Sequence, residues 1–261
     1  MQKGGNEMLV IEDLQVELEG RLLLKHIDLV ISPGETHVLF GPNGSGKTSL
    51  LMTIMGYPQY KVVGGKIFFK GQDITHMPMH ERARLGIGMA YQRPPTIHGL
   101  KVRQLLELCA RDGIDPEALA RSLNFEQFLD RDVNAGFSGG EIKRSELLQL
   151  MAQDPDLMLF DEPESGVDLE NIQLVGRAIA RLLEKDPAAY PEGDEPPIRR
   201  RQKRTKMGLI ITHTGYILDY VDADKGQVLY DGVLSCTTNP REILRCISSS
   251  GYEECVRCLI G

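Results

Sequence analysis

The sequence contains no tryptophan, and aromatic residues make up only 6% of its 261 positions. A chain this poor in rings offers few flat faces for stacking a base, so a nucleobase has to be held by other means. Long hydrophobic runs are missing too. No stretch reaches the roughly 18 to 20 apolar residues that span a bilayer, and the opening MQKGGNEMLV has no apolar signal core. We therefore expect a cytoplasmic protein with no direct membrane insertion, whose contact with any membrane passes through a partner. The five cysteines are an odd number, and without a secretion signal structural disulfides are not expected. A net charge of −7 argues against generic nucleic-acid binding.

What is present is ordinary for a globular chain: 41% hydrophobic and 26% charged residues, in a length that suffices for one large domain. Residues 8–31 alternate apolar and polar positions, break at Glu19-Gly20 and stop at Ser32-Pro33-Gly34, which predicts two strands. Thr36–Phe40 is a short apolar run flanked by glycines and predicts a buried strand. Residues 64–73 read as a hairpin. Helical spacing marks 103–111, 115–128, 139–152 and 170–184, and short apolar strands are predicted at 157–160 and 208–212. A hairpin over 226–234 and a helix starting near Asn239-Pro240 close the chain. Strands alternating with helices predict an α/β fold, a mostly parallel sheet with helices on both faces. Residues 185–206 differ: four prolines and an acidic stretch precede the basic run IRRRQKRTK, and the segment reads as a mobile insertion.

Three motifs carry chemistry. Gly41, Pro42, Asn43, Gly44, Ser45, Gly46, Lys47 and Thr48 fit G-x-x-x-x-G-K-[ST] between a strand and a helix that opens at Ser49. In such a loop backbone N–H groups surround phosphates at the positive end of the helix. Lys47 would reach the β- and γ-phosphates of ATP, and Thr48 would give its hydroxyl to Mg²⁺. The apolar strand Leu157-Met158-Leu159-Phe160 delivers Asp161 as a second metal ligand and Glu162 as the group that polarises water. Ser138, Gly139, Gly140 and Glu141 open a helix and form a second anion site. Lys47 already serves one nucleotide, so this site is expected to serve another, in a head-to-tail dimer with a second copy of the chain.

With these motifs in this order, the chain resembles the ATP-binding-cassette (ABC) ATPases along nearly its whole length. The resemblance implies a P-loop NTPase of ABC type: one ATPase domain over 1–261 with a mixed sheet core. Its α/β core would comprise 1–92 and 151–261, with an inserted α-helical subdomain at 93–150. Gln92 stands at the position of the glutamine that contacts the γ-phosphate and the metal and couples the core to a partner. Ser165-Gly166-Val167-Asp168 is similar to the D-loop, which puts Asp168 at the dimer interface. His213 matches the switch histidine. Two departures stand out. The position where relatives stack adenine on a ring is occupied, by counting back from Gly41, by Leu18. After Pro163 comes Glu164, where many relatives carry Thr or Ser, and the sequence offers no reason for that acid.

The details lean toward one subfamily. Phe137 and Glu141 flank the signature where transporter ATPases have Leu and Gln, and MAYQRPPTIHG places two prolines after Gln92. Together with Glu35-Thr36-His37-Val38 and Tyr216-Ile217-Leu218-Asp219-Tyr220, these resemble the SufC family, ATPase subunits of the SUF iron–sulfur cluster assembly complex. That resemblance implies a SufB/SufD-type scaffold as partner. The alternative is the ATP-binding subunit of an ABC transporter, since the catalytic motifs are shared. A nucleic-acid partner is not expected, because the basic run 199–206 has no interleaved aromatics and reads as a solvated loop. Cys246, Cys255 and Cys258 could hold a metal, but a closed site wants four ligands and nothing in the sequence places Cys236 beside them.

Overall fold

The computed structural model describes residues 8–111, 113–186 and 203–260. β1 (Leu9–Leu18) and β2 (Arg21–Ile31) meet at a turn in which Glu19 and Gly20 both have positive φ, the geometry that suits a two-residue hairpin loop. β3 (Thr36–Phe40) feeds the glycine loop and α1 (Lys47–Met55). β4 (Lys61–Phe69), β5 (Gln72–Asp73), α2 (Met79–Leu85) and β6 (Ile87–Ala90) come next. They are followed by β7 (Ile97–Lys101), α3 (Val102–Cys109), α4 (Pro116–Ser122), β8 (Asp132–Val133) and α5 (Gly139–Gln153). β9 (Leu157–Asp161), α6 (Leu169–Leu182), β10 (Met207–Ile211), β11 (Lys225–Tyr230), β12 (Val233–Thr238) and α7 (Pro240–Ile260) complete the order.

The central sheet has six strands in the order β12-β11-β3-β10-β9-β6, parallel except for β12 at its edge. Alternation along these strands sorts side chains to two faces. Leu39, Leu157, Leu159, Leu209 and Ile211 pack with Leu50, Leu51 and Ile54 of α1 and with Leu9, Ile11, Leu29 and Phe69. Val38, Phe40, Met158, Phe160 and Ile210 pack on the other side with α6 and the helices between β7 and β9. The sequence pattern predicted helices on both faces. Both faces do carry helices, and the α1 face also packs against a second sheet, four antiparallel strands in the order β2-β1-β4-β5. Those strands bury alternate residues against α1, so their one-sided amphipathicity is satisfied without further helices.

Other boundaries also differ from the sequence reading. The predicted helix 115–128 stops at Ser122; Asn124 has φ 52° and a single 3₁₀ turn follows at Glu126–Phe128. The break turns Phe125 and Phe128 toward Phe137, with ring centroids 5.7 and 5.3 Å away, an aromatic cluster that a continuous helix could not form. The segment 185–206 is anchored at both ends. Lys185 is buried and pairs with Asp224 at 2.6 Å, and Lys206 pairs with Asp154 at 2.7 Å. Residues 187–202, the bulk of the predicted insertion, lie outside the described residues. Among the described residues no helix is long and apolar enough to cross a membrane.

Candidate nucleotide site

Four adjacent parallel strands place the site. Ile211 of β10 pairs with Leu39 of β3 and with Asp161 of β9, and Ala90 of β6 pairs with Phe160 of β9. The strands therefore end level, and whatever follows each of them emerges at one edge, beyond the carboxyl ends where open α/β sheets bind ligands. Gly41 to Thr48 follow β3, Glu162 follows β9, Thr212 and His213 follow β10, and Gln92 follows β6 by one residue.

The glycine loop is as tight as its motif requires. Gly41 has φ 155°, and a Cβ there would run into the carbonyl of Leu229 and the hydroxyl of Ser45. Gly46 (φ 103°) caps α1 against Leu24. Only glycine has free access to such backbone. Ser45 is buried with its hydroxyl unpartnered inside the loop. The Lys47 ammonium donates to the carbonyls of Gly41 at 2.8 Å and Pro42 at 2.9 Å. Burial pulls its pKa down, opposed by the charges of Glu162 and Asp161. The Thr48 hydroxyl donates to Asp161 Oδ1 at 3.3 Å, and burial raises the Asp161 carboxyl.

Glu162 is the hub. It sits in the left-handed region at φ 48°, held by an N–H bond to the carbonyl of Ile211 at 3.1 Å. Both carboxylate oxygens are engaged: Oε1 lies 2.7 Å from His213 Nε2, and Oε2 accepts from Gln92 Nε2 at 2.5 Å. The strained backbone aims the side chain across the sheet edge, where residues that follow two other strands, β10 and β6, converge on it. A cleft of about 530 Å³ opens here, lined by Asn43, Gly44, Gly46, Lys47, Thr48, Ser49, Gln92, Glu162 and His213. Its apolar wall is Leu23 of β2, on the second sheet; Leu18, the last residue of β1, is not part of this lining.

The remaining predicted site residues do not line this cleft. Ser138 caps α5 in a reciprocal capping box: Glu141 Oε2 accepts from Ser138 N–H at 2.7 Å, and Ser138 Oγ accepts from Glu141 N–H at 3.4 Å. A Cβ on Gly139 would collide with the carbonyl of Gly166, and one on Gly140 with Asn171. Asp168 caps α6, accepting from Asn171 N–H at 2.8 Å. The chain thus brings Gly41–Thr48, Ser49, Gln92, Asp161, Glu162 and His213 together, and holds Ser138–Glu141 and Asp168 apart from them.

Two relationships were not anticipated from the sequence. Lys143 and Glu146 of α5 are buried and grip the backbone of Tyr91 and Gln92. Glu164 is buried against Thr212 and Thr214. Charged residues inside apolar helix faces were the available signal for the first. Nothing local marks the second. Among the described residues no cluster of three or more His, Cys, Asp or Glu is arranged to hold a metal by itself. Cys246 is half-buried and Cys255 buried, while the side chains of Cys236 and Cys258 lie outside the described residues.

A lysine-bearing glycine loop, an Asp-Glu strand end and a histidine on the next strand, set on this two-sheet core, define an ATP-binding-cassette nucleotide hydrolase. The chain belongs to the ABC transporter family, whose family model matches residues 24–165. Within it the chain is a SufC-like ATPase that binds nucleotide and hydrolyses ATP. It is 35% identical over 241 residues to the probable ATP-dependent transporter SufC of Escherichia coli, covering 86% of this chain and 90% of that one. The probable ATP-dependent transporter ycf16 of Cyanidium caldarium is 36% identical, over 86% of this chain and 87% of the relative. Among solved structures, a nucleotide-free ATP-binding cassette from an ABC transporter superposes with a TM-score of 0.74 at 21% identity, covering 95% of this chain and 98% of that one. That likeness establishes the fold.

Proposed function

We propose that this chain is the ATPase subunit of an SUF-type iron–sulfur cluster assembly complex. It hydrolyses ATP in a head-to-tail dimer and moves a SufB/SufD-type scaffold in the cytoplasm. The likeness to SufC over 86% of the chain supports the pathway. One observation carries the chemistry: Glu162 is fixed at both oxygens, by His213 and Gln92, at the mouth of the cleft that holds Lys47.

The site fits Mg-ATP. Thr48 and Asp161 present hard oxygen donors 3.3 Å apart, the chemistry that Mg²⁺ selects, and the Gln92 amide oxygen is the third ligand we assign. The ion, when bound, neutralises charge on the phosphate oxygens. Gly41, Gly44 and Gly46 keep the loop free of side chains where phosphates approach. Lys47 exchanges its two carbonyl partners for phosphate oxygens, a short movement for a buried ammonium. Glu162 orients the attacking water and takes its proton, His213 holds Glu162 and contacts the γ-phosphate, and Gln92 reports the state of the site to the partner. The loose, largely dissociative transition state asks mainly for positioning and charge, which these residues supply.

Ser138, Gly139, Gly140 and Glu141 stand outside their own chain's cleft, which supports their serving the nucleotide of a second copy, with Asp168 at the join. The same division supports an α/β core over 1–92 and 151–261 that moves against the helical segment 93–150. Glu162→Gln tests the dimer. Size measurement is expected to give a dimer with Mg-ATP and a monomer without it, and a monomer in both conditions rejects the sandwich. Isolation of the chain with its partners tests the pathway: a scaffold lacking membrane spans is expected, and a transmembrane permease would assign the chain to a transporter instead.

A further inference from the structure

We propose that Glu164 is a positioning residue for His213, a clasp through which the D-loop sets the switch histidine. The inference rests on the reading of His213 and Glu162 above and adds a residue to it. Glu164 occupies the turn after Glu162-Pro163 and is only 8% exposed, a costly place for an acid. Its Oε1 accepts from the hydroxyl of Thr212 and, at 3.1 Å, from the hydroxyl of Thr214. These two residues flank His213. One oxygen therefore ties both neighbours of the histidine to the D-loop.

Each threonine works in two directions. Thr212 Oγ1 donates to Glu164 and accepts from Gly215 N–H at 2.8 Å; Thr214 Oγ1 donates to Glu164 and accepts from Tyr216 N–H at 3.3 Å. The backbone after His213 is thereby organised around the carboxylate. On the other side, Ser165 N–H bonds to the carbonyl of Glu162 at 3.0 Å and Val167 N–H to that of Glu164 at 3.3 Å, so the turn holds Glu164 in a set relation to Glu162. The His213 ring then reaches back to Glu162 at 2.7 Å. The loops after β9 and β10 are thus joined at two places, through His213 and through Glu164.

The second oxygen of Glu164 is buried without a hydrogen-bond partner. An acid retained under that penalty is poorly explained by stability, because a neutral side chain would fill the same place at lower cost. The D-loop beyond it is exposed at Ser165 and Gly166, and the Gly166 carbonyl abuts Gly139 at the start of α5. Displacement of the D-loop by a second copy would pull on Thr212 and Thr214 and hence on His213. The clasp makes the histidine's position depend on what the D-loop touches.

The test compares Glu164→Ala, Glu164→Gln and Thr214→Val with His213→Ala in the full chain. Glu164→Ala is expected to lower kcat between about 10- and 100-fold, the scale of a misplaced catalytic group, with ADP affinity unchanged. Glu164→Gln keeps an acceptor oxygen and is expected to recover most of that activity. Thr214→Val, which removes one donor at a partly exposed residue, is expected to lower kcat without shifting the thermal midpoint. Adding Glu164→Ala to His213→Ala is expected to have no further effect, since both act through one group. A normal kcat in Glu164→Ala beside an inactive His213→Ala overturns the clasp and leaves the site reading standing. Equal losses in kcat and ADP affinity, unrecovered by Gln, also overturn it. A fully active His213→Ala overturns the site reading and the clasp together.

Discussion

Lys143 donates through Nζ to the carbonyl of Tyr91 at 2.5 Å and to that of Gln92 at 3.1 Å. Glu146, on the next turn of α5, accepts from the Tyr91 N–H at 2.7 Å, and the two side chains lie 3.5 Å apart. The helix that begins at Ser138 thus grips, by two buried side chains, the backbone that delivers Gln92. These contacts tie the helix that carries the signature to the backbone of Tyr91 and Gln92.

Lys143→Met keeps the length of the side chain and removes its charge. Two backbone carbonyls lose their donor and Glu146 loses its counter-ion. Breaking a buried pair from one side costs about 3 to 5 kcal/mol. Urea unfolding is expected to show that loss, and a change below about 1 kcal/mol would mean that water or a neighbour replaces the ammonium.

The same pair predicts a pH dependence. Burial pushes the Glu146 carboxyl up to about 7, with Lys143 offsetting part of the shift. In an unfolded chain a glutamate titrates near about 4.3. The folded state therefore holds a proton that the unfolded chain releases between these values. Its stabilising contribution is complete below the unfolded value and is lost as pH rises through about 7. Thermal midpoints of the native chain are expected to fall from about pH 5 to about pH 7.5 more steeply than those of Glu146→Gln. Parallel curves for the two proteins would rule out this titration.

Gly139→Ala probes the contact between the signature and the D-loop. The added methyl meets the Gly166 carbonyl, which is backbone and cannot rotate aside. Overpacking of this kind costs about 1 to 3 kcal/mol, relieved here by a shift of the D-loop. Hydrolysis is expected to fall while nucleotide binding at Lys47 persists, since the cleft lining does not include Gly139. Loss of ADP binding in this variant would contradict the separation of the two groups of residues.

Much of the site was legible because its chemistry is local. The eight residues from Gly41 to Thr48 specify a loop, a helix start and a lysine in one stretch, and the apolar run before Asp161 announces a strand that ends in carboxylates. β6 was less legible: Ile87-Gly88-Met89-Ala90 is too short to show a period, yet it supplies Gln92. The strands of the second sheet were legible, but that they form a second sheet was not, for a related reason. Alternation in β1 and β2 reveals that one side is buried but not that α1 is what buries it.

The sequence by itself determined the nucleotide chemistry, the parallel core and the order of the motifs, because glycine conformation, side-chain period and charge are properties of neighbouring residues. Only the tertiary structure decided which partners these groups have. Glu162 meets His213 and Gln92 because β9, β10 and β6 end in register, and Glu164 meets Thr212 and Thr214 because the same strands are adjacent. Those contacts join positions about 50 to 70 residues apart. Pairing over such separations is set by sheet topology, and no local pattern encodes it.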